Sequence, residues 1–171
     1  MMDWNKYFEY CPNNGLLRWR PRPESDFINK SQYKRWGTKF VGQPPGSMYP
    51  TGYVSIKLYG KPHLAHRIIW QMNHGEIPDG FQIDHINGNP RDNRISNLRL
   101  ATHTENTRNR KLSKYNTSGY KGVSHSPVGK RWRSRIRIGT KRIGLGSYDN
   151  IEDAAAAYAE AAKRYHGEFA R

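Results

Sequence analysis

The chain has 171 residues, 29 of them Lys or Arg against 14 Asp or Glu, for a formal net charge of +15 and a pI near 10.1. That length holds one ordinary domain or two or three small ones with modest cores, and that charge points to a polyanionic partner, with nucleic acid as the default. The lone Cys11 excludes an internal disulfide and any zinc cluster and reads as a small residue near a turn; no apolar run reaches the ~18–20 residues of a membrane span, and neither a signal peptide nor a lipidation signal stands out, so a cytoplasmic protein is expected.

Residues 1–60 read as a β-rich segment. "FEY" and "LLRWR" flank "CPNNG", whose Asn-Gly pair signals a hairpin. The Pro- and Gly-broken stretch from Pro21 to Gly52 reads as a long exposed excursion, its Lys34, Arg35, Trp36 and Lys39 being either backbone contacts for a nucleic acid or solvated loop with one anchoring Trp. "YVSIKLY" alternates Val54, Ile56 and Leu58 with Ser55 and Lys57, as a half-buried strand does, and "GKPH" is read as the turn after it. "LAHRIIWQMNHG" predicts a helix of about three turns with Leu64, Ile68 and Met72 on one face and Gly75 as its stop. His66 at its start reads as a packed or capping residue rather than a ligand.

"GFQIDH" predicts a short strand ending at Asp84 and His85, "NLRLA" a second strand, and "THTENTRNRK" a helix opened by a capping box of Thr102 and Glu105. The order is strand, loop, strand, helix, which can bring Asp84, His85 and Asn106 toward one small ion. Hydrolysis of a phosphodiester needs a base near neutrality, which His85 suits, and a positive charge for the phosphate. Asp84 and Asn106 offer hard oxygen donors of the kind Mg²⁺ accepts. Adjacent strand residues point to opposite faces, so Asp84 and His85 serve one site only if the strand bends or ends there.

These residues resemble the ββα-metal motif of HNH endonucleases, specifically phage-type homing endonucleases whose last motif His is replaced by Asn. The resemblance implies His85 as general base, Asp84 and Asn106 as metal ligands, and Asn97 as the central Asn that braces the loop and keeps His85 in place. It implies Mg²⁺, with Mn²⁺ as substitute, and no zinc cluster. Asp92 and Asn93 in "NGNPRDNRISNL" are expected to make loop hydrogen bonds, and His66 in "HRIIW" is similar to the segment preceding this motif. His103, a turn before Asn106, is a rival for the metal ranked below it because it matches no family ligand, and it stays open as a phosphate contact.

Between Asn106 and Asp149 the chain holds 12 Lys or Arg and no acid. Residues 111–117 read as a basic linker able to follow a DNA groove, with Arg108, Lys111 and Lys114 facing it. Three strands follow, "YKGV", "KRWRSRIRIG" and "KRIGLGSY", the middle one setting Arg131, Arg133, Arg135 and Arg137 on one face and Trp132, Ser134, Ile136 and Ile138 on the other. A last helix, with Asn150 as N-cap and Gly167 at its end, carries Ile151, Ala154, Tyr158, Ala161 and Tyr165 as its core stripe. Residues 118–171 resemble the APETALA/ethylene-response-factor DNA-binding domain, and the resemblance places contacts on Lys121, Arg135, Arg137 and Arg142, with Arg133 close by. Ser124, Ser126, Val128 and Gly144 depart from its pattern, so its base recognition does not carry over.

The expected fold is α+β: an HNH ββα-metal core at 61–110, preceded by the β-rich segment and followed by the linker and a three-stranded antiparallel sheet packed on one helix. The expected activity is metal-dependent cleavage of a long double-stranded DNA site by a monomer that nicks one strand. A non-catalytic DNA-binding regulator with a degenerate nuclease fold is the alternative. RNA binding is a third reading, disfavoured because no aromatics interleave the arginines.

Overall fold

A computed structural model describes residues 2–110, 112–127 and 129–170. The chain divides into two compact units, Met1–Ala101 and Thr102–Arg171.

In the first unit, β1 (Phe8–Cys11) and β2 (Leu16–Trp19) form an antiparallel hairpin, followed by helix α1 (Lys30–Phe40). Strands β3 (Ser47–Met48), β4 (Val54–Leu58) and β5 (Lys61–Leu64) form an antiparallel sheet with β4 in the centre. Helix α2 (Ala65–His74) follows directly, and β6 (Phe81–His85) pairs with β7 (Leu98–Thr102). One apolar core joins these elements: Trp4, Phe8 and Leu17 from the N-terminus, Ile56 and Leu58 from β4, Ile68 and Ile69 from α2, and Ile83 and Leu98 from the last strand pair.

Three features of this unit differ from the sequence reading. The excursion contains α1, whose Asn29 caps Gln32 N at 2.9 Å and whose Tyr33, Trp36 and Phe40 recur on one side; the surrounding Pro and Gly residues mask that periodicity. Of "GKPH" only Gly60 lies in the turn, which it makes with Tyr59 in left-handed conformation; Lys61, Pro62 and His63 belong to β5, where an edge strand tolerates Pro62. On α2 the buried residues are Ala65, His66, Ile68 and Ile69, with Met72 only partly buried, so the core face is rotated from the predicted one.

The second unit begins with Thr102, whose hydroxyl caps Glu105 N while the Glu105 carboxylate accepts from Thr102 N at 2.8 Å, starting helix α3 (His103–Asn109). Strands β8 (Val123–His125), β9 (Trp132–Ile138) and β10 (Lys141–Tyr148) form an antiparallel sheet with β9 in the centre, packed on α4 (Ile151–His166). Ser134 and Ile136 are fully buried on one face of β9, where Ala161 and Ala162 let α4 lie close. Tyr165 is 45% exposed and His166 takes its slot in the stripe, bonding through Nε2 to the Arg137 carbonyl at 3.0 Å. This mixed α and β architecture, with a three-stranded antiparallel sheet on one helix, is the expected fold class.

Gly122 shows how tight the second core is: at φ +67 a Cβ there would overlap the Tyr158 ring and the Arg135 carbonyl. Gly122→Ala should therefore destabilise the second unit by about 2 kcal/mol or more through strain and overpacking. Thermal unfolding followed by near-ultraviolet dichroism would show the lowered midpoint; an unchanged midpoint would contradict this packing.

Candidate active site

β6 brings Ile83, Asp84 and His85 into the interior in succession, all buried. Strand alternation sends the two polar residues to different neighbours. Asp84 Oδ2 accepts from both Arg99 Nε and Arg99 Nη2 on β7 at 2.9 Å, and both side chains are almost fully enclosed. The strand ends at His85, whose carbonyl accepts from Gly88 N at 2.7 Å as the chain turns. His85 Nε2 lies 2.9 Å from Asn93 Oδ1. An amide oxygen accepts only, so Nε2 carries the proton and Nδ1 is the basic nitrogen.

The loop from Asn87 to Asn97 has little apolar surface and is held by its own amides. Asn97 Oδ1 accepts from Asn87 N at 3.0 Å, while Asn97 Nδ2 donates to the Asp92 carbonyl at 2.7 Å and to Asn87 Oδ1 at 3.1 Å. Asn87 Nδ2 donates to Asp92 Oδ2 at 2.8 Å. Arg94 grips both Asp92 oxygens, at 2.7 and 2.6 Å, and holds that carboxyl near pKa 2. The hairpin supports the same loop from outside. Tyr10 Oη accepts from Ile95 N at 2.8 Å and donates to the Asn93 carbonyl at 3.4 Å. Gly15, at φ +70, lies so close to the Asn93 and Arg94 backbone that a Cβ would clash.

His66, buried on α2, completes the surroundings of His85. The two rings are 5.2 Å apart and roughly perpendicular, and Tyr53 lies 5.1 Å from His66 and 5.9 Å from His85. Burial, then the neighbouring His85 and Arg67, push the His66 pKa down to about 3. Burial also lowers the His85 pKa below the usual 6.5, opposed by the Asn93 bond and by the Asp84 and Asp92 carboxylates. His85 is thus neutral at pH 7, in the form a proton acceptor requires.

The remaining predicted positions lie on the second unit. Asn106 is on α3, as is His103. The Arg108 carbonyl accepts from Lys121 Nζ at 2.9 Å, Lys114 Nζ lies over the Tyr115 ring, and Lys111 falls outside the described residues. Arg133 and Arg135 are half-buried and Arg137 exposed on the face of β9 opposite Ser134 and Ile136. Across the sheet, Arg142 pairs with Arg137, Gly144 with Arg135, and Ser124 and Ser147 with Arg133. Arg131 precedes β9 and pairs with Asp149 at 3.0 Å, which removes it from the arginine row. Three residues escaped the sequence reading: Arg99, Tyr10 and Tyr53. Only Arg99 left a local trace, a lone cation between the leucines of a short strand.

Residues 63–108 match the family described as HNH endonuclease. The chain is similar to Protein 3.8 of Escherichia phage T7, 40% identical over 117 residues that cover 68% of this chain and 96% of that protein. It is also similar to the uncharacterized HNH endonuclease L560 of Acanthamoeba polyphaga mimivirus, 34% identical over 125 residues, covering 72% of this chain and 62% of that one. A 53-residue stretch is 47% identical to the ethylene-responsive transcription factor ERF084 of Arabidopsis thaliana, 30% of this chain and 20% of that one. No solved structure matches significantly.

Two outcomes follow from these contacts. Arg99→Met leaves a buried carboxylate without its ion pair and should cost about 3–5 kcal/mol, much of it recovered in Asp84→Asn/Arg99→Met, as urea unfolding would show. His66 resists protonation in the fold but not in the unfolded chain. Stability should therefore fall as pH drops from 6.5 toward about 3, and His66→Gln should flatten that slope.

Proposed function

We propose, for a chain that belongs to the same family as phage T7 Protein 3.8 and carries an HNH endonuclease domain at residues 63–108, that it is a metal-dependent homing endonuclease. It binds a long double-stranded DNA site in the host bacterial cytoplasm and acts as a monomer that nicks one strand. The observation that carries this reading is the neutral, buried His85 whose Nε2 is committed to Asn93 and whose Nδ1 is thereby the proton acceptor.

His85 Nδ1 takes a proton from a water as that water's oxygen bonds to phosphorus in line with the leaving group. The bond from phosphorus to the 3′ oxygen breaks, solvent protonates that oxygen, and the products carry 5′-phosphate and 3′-hydroxyl ends. Asn97 acts indirectly, by holding the loop that presents Asn93 to His85. Asp84 and, on the motif's pattern, Asn106 are the proposed ligands of Mg²⁺ or Mn²⁺, a cation that supplies charge for the scissile phosphate and the leaving oxygen. The Asp84 carboxylate, set in place by Arg99 on β7, is a hard oxygen donor of the kind such a cation takes while keeping waters. The Arg99 charge offsets that of Asp84, so the cation would bind weakly without DNA.

The second unit is proposed to grip duplex DNA as ethylene-response-factor domains do, with Arg133, Arg135, Arg137 and Arg142 on its sheet. Gly144, Ser124 and Ser147 beside those arginines leave room for a phosphate backbone to approach.

Purified protein incubated with supercoiled plasmid and parental phage DNA should give open-circle product with Mg²⁺ and none with EDTA. His85→Ala should lower cleavage by about 10²- to 10⁴-fold with binding retained, and Asn93→Ala by about 10- to 100-fold. Arg135→Ala should weaken binding and reduce its salt slope by about 1. Binding without cleavage across several metals would instead identify a DNA-binding regulator.

A further inference from the structure

The first unit carries a charged surface that the proposed site does not use. Between Asp26 and Glu76 the chain holds seven Lys or Arg and no acid, and four of the seven, Lys30, Lys34, Arg35 and Lys39, fall on α1. All four are exposed, and none of the 11 residues of the helix is buried. Tyr33, Trp36 and Phe40 are half-buried and anchor the helix. Trp36 meets Trp19 at 5.4 Å and Phe27 at 5.5 Å, and the Arg22 guanidinium lies 5.1–5.4 Å from the Phe27, Trp36 and Tyr59 rings.

The same anchorage uses up the nearest acid, since Asp26 accepts from Arg22 at 3.0 Å and from the Tyr59 hydroxyl at 2.7 Å. No ion pair neutralises the four α1 cations among the described residues. Lys30 with Lys34 and Arg35 with Lys39 are like charges four residues apart, an arrangement that destabilises a helix. Gly37 and Thr38 in its interior weaken it further. A polyanion laid along this face relieves the repulsion.

We propose that the exposed face of α1 is a phosphate-backbone contact of the first unit, gripping duplex DNA through Lys34, Arg35 and Lys39 with Lys30 at its edge. This rests on the reading of the chain as a DNA-binding nuclease and adds a grip outside both the site around His85 and the arginine-bearing sheet. Duplex DNA is favoured over an anionic lipid surface because Ser31, Gln32 and Thr38 accompany the cations while the aromatics are half-buried. A membrane-lying helix needs its apolar face outward, and the exposed apolar residues here, Ile28 and Val41, flank the helix rather than line it.

The test is fluorescence anisotropy of the full chain on a long duplex in EDTA, over salt from about 50 to 200 mM. Lys34→Ala/Arg35→Ala/Lys39→Ala should bind more weakly and lower the slope of log affinity against log salt by about 2–3, while Lys34→Arg/Arg35→Lys/Lys39→Arg keeps the slope. Far-ultraviolet dichroism confirms that both variants fold, and Arg133→Ala/Arg135→Ala/Arg137→Ala reports the second unit separately. An unchanged slope in the α1 variant, with a reduced one in the sheet variant, overturns the inference and leaves the nuclease reading standing. Failure of the wild-type chain to bind any duplex sinks both. Loss of binding to phosphatidylserine vesicles but not to DNA would also overturn the inference, in favour of a lipid surface.

Discussion

The hydrogen bond between His85 Nε2 and Asn93 Oδ1 decides which nitrogen of the imidazole is basic and where the ring points. Asn93 lies in a loop with little apolar surface to bury, so its position depends on hydrogen bonds that are costly to leave unmade in a half-dry interior. Asn87, Asp92 and Asn97 supply them from within the loop, and Tyr10 supplies two from the N-terminal hairpin. Gly15 lets that hairpin close on the loop without a side chain between the two backbones. The orientation of one ring therefore draws on residues more than seventy positions upstream, and a change that loosens the hairpin is expected to reach the chemistry before it unfolds the protein.

The surroundings of His85 keep the ring neutral and pair the carboxylate beside it with Arg99. Burial disfavours the imidazolium, most strongly at His66, whose own protonation would place a second positive charge against His85. Arg99 gives Asp84 an ion partner inside the fold, where water has little access. The cost of that arrangement is acid sensitivity: the histidines that the fold holds neutral take up protons readily once the chain opens.

Much of this was legible in the sequence because the signals were local. The capping box of Thr102 and Glu105, the end of a strand at His85 and the alternation of Ser134 and Ile136 with arginines each follow from residues a few positions apart. What could not be read were pairings across distance. Arg99 meets Asp84 from the neighbouring strand, Tyr10 reaches Ile95 from the hairpin, and Tyr53 comes to His66 and His85 from before β4. Helix α1 was hidden for another reason: Gly37, the flanking prolines and an absence of buried residues removed the usual contrast between core and surface. At Tyr165 and His166 the stripe was found but its phase drifted by one residue, enough to exchange an exposed ring for a buried one.

The claim on which this account rests is that His85 is neutral at pH 7, with the proton on Nε2 and the lone pair on Nδ1. The direct measurement is the ¹⁵N chemical shift of each His85 ring nitrogen by NMR, assigned against His85→Gln. The account predicts a protonated, pyrrole-like Nε2 and an unprotonated, pyridine-like Nδ1 at neutral pH. Two pyrrole-like nitrogens, or the proton on Nδ1, would contradict it.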